Sequence, residues 1–215
     1  IFMQTPQGSH MLVDGGRYPA RLLTSIGDRM PFYDRNIEVV AMTQTDVFDV
    51  SALGSVLARY DTGVILTNGQ PNLEIEDSPL GDQLRAENAI AVTEGYSLSV
   101  GDGVSLEVLS PSQVPSISNS INDSVMVLRV NYGTMSLLLL SDASQALQNE
   151  LLSSGVDLSA NVVQLPQNGT QRSLSADLLE HIQPQLAWIQ ADSANRRGDP
   201  SGDVLNLVEA QAGMT

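Results

Sequence analysis

Met42-Thr43-Gln44-Thr45-Asp46-Val47-Phe48-Asp49-Val50-Ser51-Ala52-Leu53 is the stretch on which the reading of this chain turns. An apolar strand containing Ile37, Val39 and Val40 runs into it, and a helix through Tyr60 follows. Between them lies a short polar loop with an amide, Gln44, and two carboxylates, Asp46 and Asp49, but no histidine. A strand end that delivers polar side chains into a loop before a helix is where layered α/β proteins collect their chemistry. Two transition ions held about 3.5–4 Å apart around a bridging water need imidazole and carboxylate at alternating positions. Gln44, Phe48 and Asp49 do not supply that set.

Working outward, strands are expected at Ile1–Thr5, Met11–Asp14, Ile37–Thr43, Gly63–Thr67, Ala89–Thr93, Ser97–Val100, Ser105–Leu109, Ser124–Tyr132, Met135–Leu140, Asn161–Leu165 and Leu186–Gln190. Helices are expected at Arg17–Arg29, Ser51–Tyr60, Gly81–Ala86, Ala143–Ser153, Leu174–His181 and Asp203–Ala212. Leu147, Leu151 and Leu152 form one stripe of the fourth helix, and Gly155 supplies its stop. Asn131-Tyr132-Gly133-Thr134 reads as a hairpin turn, and Gly8-Ser9-His10-Met11 as another. Ser110 to Asn122, rich in Ser, Pro and Asn, reads as a long surface loop. Strands mixed with crossover helices predict a layered α/β architecture.

With 215 residues and 42% hydrophobic content, the chain is long enough for one large domain spanning 1–215. Its longest strongly apolar run, Leu137 to Leu140, falls far short of the ~20 residues a membrane-crossing helix requires. The chain therefore reads as soluble. Cysteine is absent, which excludes disulfides, thiolate metal sites and cysteine nucleophiles. The net charge is −15, and all ten basic residues are arginines. Phosphate contacts dominate nucleic-acid affinity and show as a basic stripe, which this sequence lacks. Arg17, Arg21, Arg29 and Arg35 are interleaved with Asp28 and Asp34, the pattern of a solvated mixed-charge face, with a small phosphate-binding patch as the alternative.

Several motifs in sequence order resemble the C-terminal metallo-β-lactamase-like domain of the ComEC-type DNA-uptake (competence) proteins of bacteria. Gln4-Thr5-Pro6-Gln7-Gly8 and Leu12-Val13-Asp14-Gly15-Gly16 are similar to that family's opening hairpin. Gly101 to Pro111 and Asn122 to Leu128 resemble its central segment, and Leu137 to Ala143 its "LLLTGDA", with Ser141 in place of glycine and Asp142 kept. Pro166-Gln167-Asn168-Gly169-Thr170 stands where the family has "PHHGS", and Gly198-Asp199-Pro200 where it has "GHP". The Met42–Leu53 stretch stands where the family carries T-H-x-[HD]-x-D-H, with only Asp46 matching among its ligand positions. Every ligand histidine of these motifs is replaced.

The resemblance implies a four-layer αββα sandwich whose hydrolytic centre has lost its ligands, with the family's first strand falling before Ile1. It implies a non-catalytic structural or interaction module of a larger membrane DNA-uptake protein, on the outer face of the bacterial cytoplasmic membrane. The partner is unknown, or is the remainder of that protein. No cofactor is expected. By family correspondence, Asp46, Asp49, Asp142 and Asp199 would converge with Gln44 and Gln167 on the former metal cleft. Such an oxygen-rich set suits a hard cation, Mg²⁺, Mn²⁺ or Ca²⁺, better than zinc, and Arg172, Arg196 or Arg197 could neutralise it instead. Two alternatives follow: a residual phosphodiesterase or nuclease using Mg²⁺ or Mn²⁺, and a metal-free DNA-handling domain.

The residues also have plain structural readings. Asp14 fixes a turn, Asp142 caps the helix from Ala143, and Asp46 and Asp49 cap the helix entered through Ser51. Gln167-Asn168-Gly169 is a tight turn in which Asn and Gly take the unusual backbone angles. His10 and His181 are surface or partly buried residues outside every ligand motif, and Trp188 belongs to the core.

Overall fold

The structure, a computed structural model, describes residues 1–191 and 198–211. One sheet takes the order β1 (Phe2–Gln4), β2 (His10–Val13), β3 (Asn36–Met42), β4 (Asp61–Thr67) and β5 (Ile90–Ala91); β1 is antiparallel to β2, and the other pairs are parallel. In the second sheet β6 (Ser97–Gly101), β7 (Val104–Ser110), β8 (Val127–Tyr132) and β9 (Met135–Leu139) form an antiparallel meander. It continues in parallel through β10 (Val162–Gln164) to β11 (Leu186–Trp188) at the edge.

Side-chain alternation explains why these strands read as continuous apolar runs. In β3, Val39 and Ala41 face the second sheet, while Val40 and Met42 face helices. In β9, Leu137 and Leu139 point inward, and Leu138 and the following Leu140 point to the opposite helical layer. Strands buried on both faces have no polar side to show, so the pattern is one of length and not of alternation with polar residues. Three cores result. Met11, Leu66, Leu106, Met126 and Leu128 fill the space between the sheets; Leu12, Ile26, Val40 and Leu53 pack the first sheet against its helices; and Leu138, Leu147, Leu151, Leu178 and Val204 do the same for the second. The architecture is the expected αββα sandwich.

The helices on the first sheet are α1 (Pro19–Gly27), α2 (Val47–Val50), α3 (Leu53–Leu57), α4 (Leu73–Glu76) and α5 (Pro79–Ala86). Those on the second are α6 (Gln145–Ser154), α7 (Ala176–Ile182) and α8 (Gly202–Ala210). The expected single helix Ser51–Tyr60 is instead α2 followed by α3, because Asp46 accepts from the Phe48 N–H at 2.8 Å and starts a helical turn before Ser51. The cap expected at Asp142 is Ser144, whose hydroxyl accepts from Leu147 N–H at 3.2 Å. Gly155, at φ 78°, ends α6 as expected. The β8–β9 hairpin turns through Gly133, at φ 57°. The last helix was expected to reach Ala212, which lies outside the described residues, as do Arg196 and Arg197.

Two other expectations are corrected. Trp188 is 36% exposed, since β11 is an edge strand whose outer flank has no neighbouring strand. His10 is fully buried: its ring stacks on Phe2 at 5.3 Å and its two nitrogens meet the Gln4 amide and the Asn36 carbonyl. His181 is exposed in the last turn of α7.

Candidate functional site

The carboxyl ends of β2, β3 and β9 meet at a cleft of about 230 Å³ between the two sheets. Open α/β sheets place their sites at such strand ends. Asp14, just past β2 with φ 52°, accepts from the Thr43 N–H at 2.8 Å and the Thr43 hydroxyl at 2.6 Å. The Thr43 hydroxyl also lies 2.7 Å from that of Ser141, the left-handed residue after β9. One hydroxyl pair thus ties the first sheet to the second. Asp14 fixes the turn as expected, but it does so through Thr43 of the neighbouring strand.

Burial pushes the Asp14 carboxyl up to about 6, with the Asp142 charge adding to the rise and the two Thr43 bonds opposing it. Gln164, a polar residue in the buried Val163–Leu165 run, accepts from the Ser141 N–H at 2.9 Å and donates to the Leu165 carbonyl at 2.6 Å. It was not anticipated, although a glutamine inside an apolar strand is itself a signal, since buried polar groups need partners.

The centre of the cleft is Gln44, 2% exposed. Its Nε2 donates to Asp49 Oδ2 at 3.1 Å and to Asp142 Oδ2 at 2.9 Å. With acceptors on that side, the amide orientation is fixed. Its Oε1 is buried without a hydrogen-bond partner in the structure. Asp49 is positioned by its own helix and by its carbonyl, which accepts from the N–H groups of Gly15 at 3.1 Å and Gly16 at 2.5 Å. Gly15 cannot carry a side chain, because a Cβ would stand 2.9 Å from the Leu53 nitrogen.

Of the six candidate residues, the structure therefore brings together Gln44, Asp49 and Asp142. Asp46 is used as the cap of α2, and Asp49, placed inside that helix, does not cap the next one. Gln167 stands beside the cleft without lining it: its N–H donates to the Ser141 carbonyl at 3.1 Å and its side-chain amide to the Asp142 carbonyl at 3.2 Å. Its own φ is 50°, so Gln167 shares the left-handed conformation expected only of Asn168 and Gly169. Asp199 does not line the cleft, and its neighbour Pro200 packs on Gly169. Arg172 makes no ion pair among the described residues.

The donors do not fit a transition-metal centre. Imidazole and thiolate are lacking, and among the described residues no three or more His, Cys, Asp or Glu side chains are grouped to hold an ion. The two facing carboxylates already share a neutral amide donor.

No established family profile matches the chain. Over 130 residues, 59% of this chain, it is 28% identical to ComE operon protein 3 of Bacillus subtilis (strain 168), and the match covers 16% of that relative's length. Zn²⁺-bound PqqB from Methylobacterium extorquens superposes with a TM-score of 0.60 at 12% identity, covering 100% of this chain and 83% of that one. YhfI, a metallo-β-lactamase-fold protein of Bacillus subtilis, gives 0.54 at 13% identity over 86% and 75%. The chain has the metallo-β-lactamase fold and is distantly homologous to a segment of ComE operon protein 3. Among the described residues no helix is long and apolar enough to cross a membrane.

Proposed function

We propose that this chain is a non-catalytic metallo-β-lactamase-fold domain, a structural or partner-interaction module of a ComEC-like DNA-uptake protein, positioned on the outer face of the bacterial cytoplasmic membrane. Gln44 is the observation that carries the reading. Its amide nitrogen stands between Asp49 and Asp142, where a bridging cation would otherwise offset the two carboxylates. A divalent ion entering there must displace that nitrogen, and among the described residues no third carboxylate or histidine is grouped with Asp49 and Asp142 to complete its shell. Without bound metal, water at the cleft keeps its high pKa and is a poor nucleophile at neutral pH.

The reading is tested by elemental analysis of the purified protein, back-titration with Zn²⁺, Mn²⁺ and Mg²⁺, and a phosphodiesterase assay on a nitrophenyl diester. No stoichiometric ion and no turnover are expected, with or without Asp46→Asn and Asp142→Asn. Stoichiometric Zn²⁺ or Mn²⁺, with turnover abolished by Asp142→Asn, would establish the residual phosphodiesterase instead. DNA binding is expected to be weak, because a chain of net charge −15 gains little from counterion release. Sub-micromolar affinity at physiological salt would favour a metal-free DNA-handling role.

A further inference from the structure

At the lip of the cleft, two arginines are stacked on two exposed aromatic rings. The Arg17 guanidinium lies 4.7 Å from the Phe48 ring centre and 5.8 Å from that of Tyr18, and the Arg21 guanidinium lies 5.1 Å from Tyr18. Tyr18 is 56% exposed and Phe48 59%. Gly16, Leu22 and Asp49, each next in sequence to one of these residues, line the cleft itself. Neither arginine forms an ion pair among the described residues, although acidic residues outnumber arginines 25 to 10 in the chain.

Cation–π contact contributes to folding at such exposed sites, but it leaves two costs standing. Arg21 sits in the first turn of α1, where the helix dipole disfavours a cation and where no carboxylate offsets it. Large aromatic rings left in water are a cost that burial elsewhere would avoid. A guanidinium set over a ring still has N–H donors to offer, and those donors match a carboxylate in bidentate geometry. Arginine and tyrosine are also the residue types that dominate binding energy at protein interfaces.

We propose that Arg17, Tyr18, Arg21 and Phe48 form a docking platform for a short acidic, aromatic-containing protein segment. Carboxylates pair with the two guanidinium edges, and an aromatic side chain covers Tyr18 or Phe48. The charge balance selects this occupant over nucleic acid: two arginines make no basic track, and the net charge of −15 repels a dense polyanion while tolerating a segment with a few carboxylates. A second copy of the chain brings the same large negative charge and is disfavoured likewise. The proposal rests on the reading of the chain as an interaction module. Metal content and hydrolysis test that reading separately, so the two can fail independently.

The experiment is fluorescence anisotropy with the intact chain and a labelled short Gly-Ser peptide carrying two Glu and one Tyr, compared with the same peptide with Gln in place of Glu, a neutral Gly-Ser peptide and a single-stranded oligodeoxynucleotide. The peptide carrying both Glu and Tyr is expected to bind tightest, with affinity falling as salt rises. Arg17→Gln and Arg21→Gln should each weaken it about tenfold, and Phe48→Ala by a similar factor. Arg59→Gln, outside the platform, should leave it unchanged, and thermal melting should show every variant folded. Tightest binding to the oligonucleotide, equal binding to all probes, indifference to the platform substitutions, or self-association of the chain that the platform variants abolish would each overturn the proposal.

Discussion

The interior between the two sheets and the seam at its end are built on the same strands, yet they are held by opposite physics. In β3 the chain passes from Val39 and Ala41, packed against Leu128 and Leu139, to Thr43 two residues further on. In β9 it passes from Leu139 to Ser141 in the same distance. Dispersion and solvent exclusion hold the first region, and two sets of hydrogen bonds, Asp14–Thr43–Ser141 and Gln44–Asp142, hold the second. The apolar layer joins the two sheets across their faces, and the seam joins them at the strand ends. At the strand ends, amides and hydroxyls stand beside the carboxylates of Asp14, Asp49 and Asp142.

The comparison breaks most sharply if the apolar layer is opened. Leu128→Ala, at a side chain with no solvent exposure, should cost about 2–5 kcal/mol of unfolding free energy in urea titration. A comparable loss from seam substitutions would show that the seam, not the layer, organises the sandwich.

Next in size is the pH dependence of the seam. The folded-state pKa of Asp14 is raised from 3.8 to about 6 by burial, so the native state holds its proton more tightly than the unfolded chain does. Stability from this group is therefore greatest below the unfolded value and falls as pH rises through the window from 3.8 to about 6, by about 3 kcal/mol in total. Asp14→Asn should flatten that slope and leave the protein as stable or more stable at neutral pH. Its amide can donate to the Thr43 hydroxyl, which then donates to Ser141. An unchanged slope in the variant would assign the dependence to other groups.

A smaller effect sharpens the account of Gln44. Gln44→Leu removes the shared donor and leaves Asp49 and Asp142 facing each other, at a cost of about 1–3 kcal/mol. Millimolar Mg²⁺ should restore part of that loss in the variant and not in the parent. At the low end, Asp46→Ala removes only the α2 cap and should cost about 1 kcal/mol in the same denaturation assay.

What was legible in the sequence follows the same division. Two-faced burial makes the strands readable as apolar runs, down to the short β10, because the signal is carried by consecutive residues; β11, exposed at Leu186 and Trp188, is readable from its apolar composition alone. The turns at Gly133 and Gly155 were readable because glycine meets a local backbone demand there. Helix α4 was missed, since four residues after Asn72 are too few to show a period. The cap of α6 was misplaced because Asp142 and Ser144 are both good caps two residues apart. Gln44, ninety-eight positions away, draws Asp142 into the cleft and leaves the cap to Ser144. Family correspondence placed Gln44, Asp49 and Asp142 together, but it also grouped Asp46 and Asp199 with them. Where a carboxylate points depends on partners the local sequence does not contain. Trp188 looked like core by composition, and only the sheet order shows it at an edge.

The fixed amide of Gln44 has a spectroscopic consequence. Its two side-chain protons are directed at carboxylates on different elements in a nearly solvent-free position, whereas surface glutamines tumble in water and trade their protons quickly. In a ¹⁵N-labelled sample this one NH₂ group should give a widely split, slowly exchanging pair of resonances. Loss of that pair would report entry of an ion, or opening of the cleft, before any change in overall stability registers it.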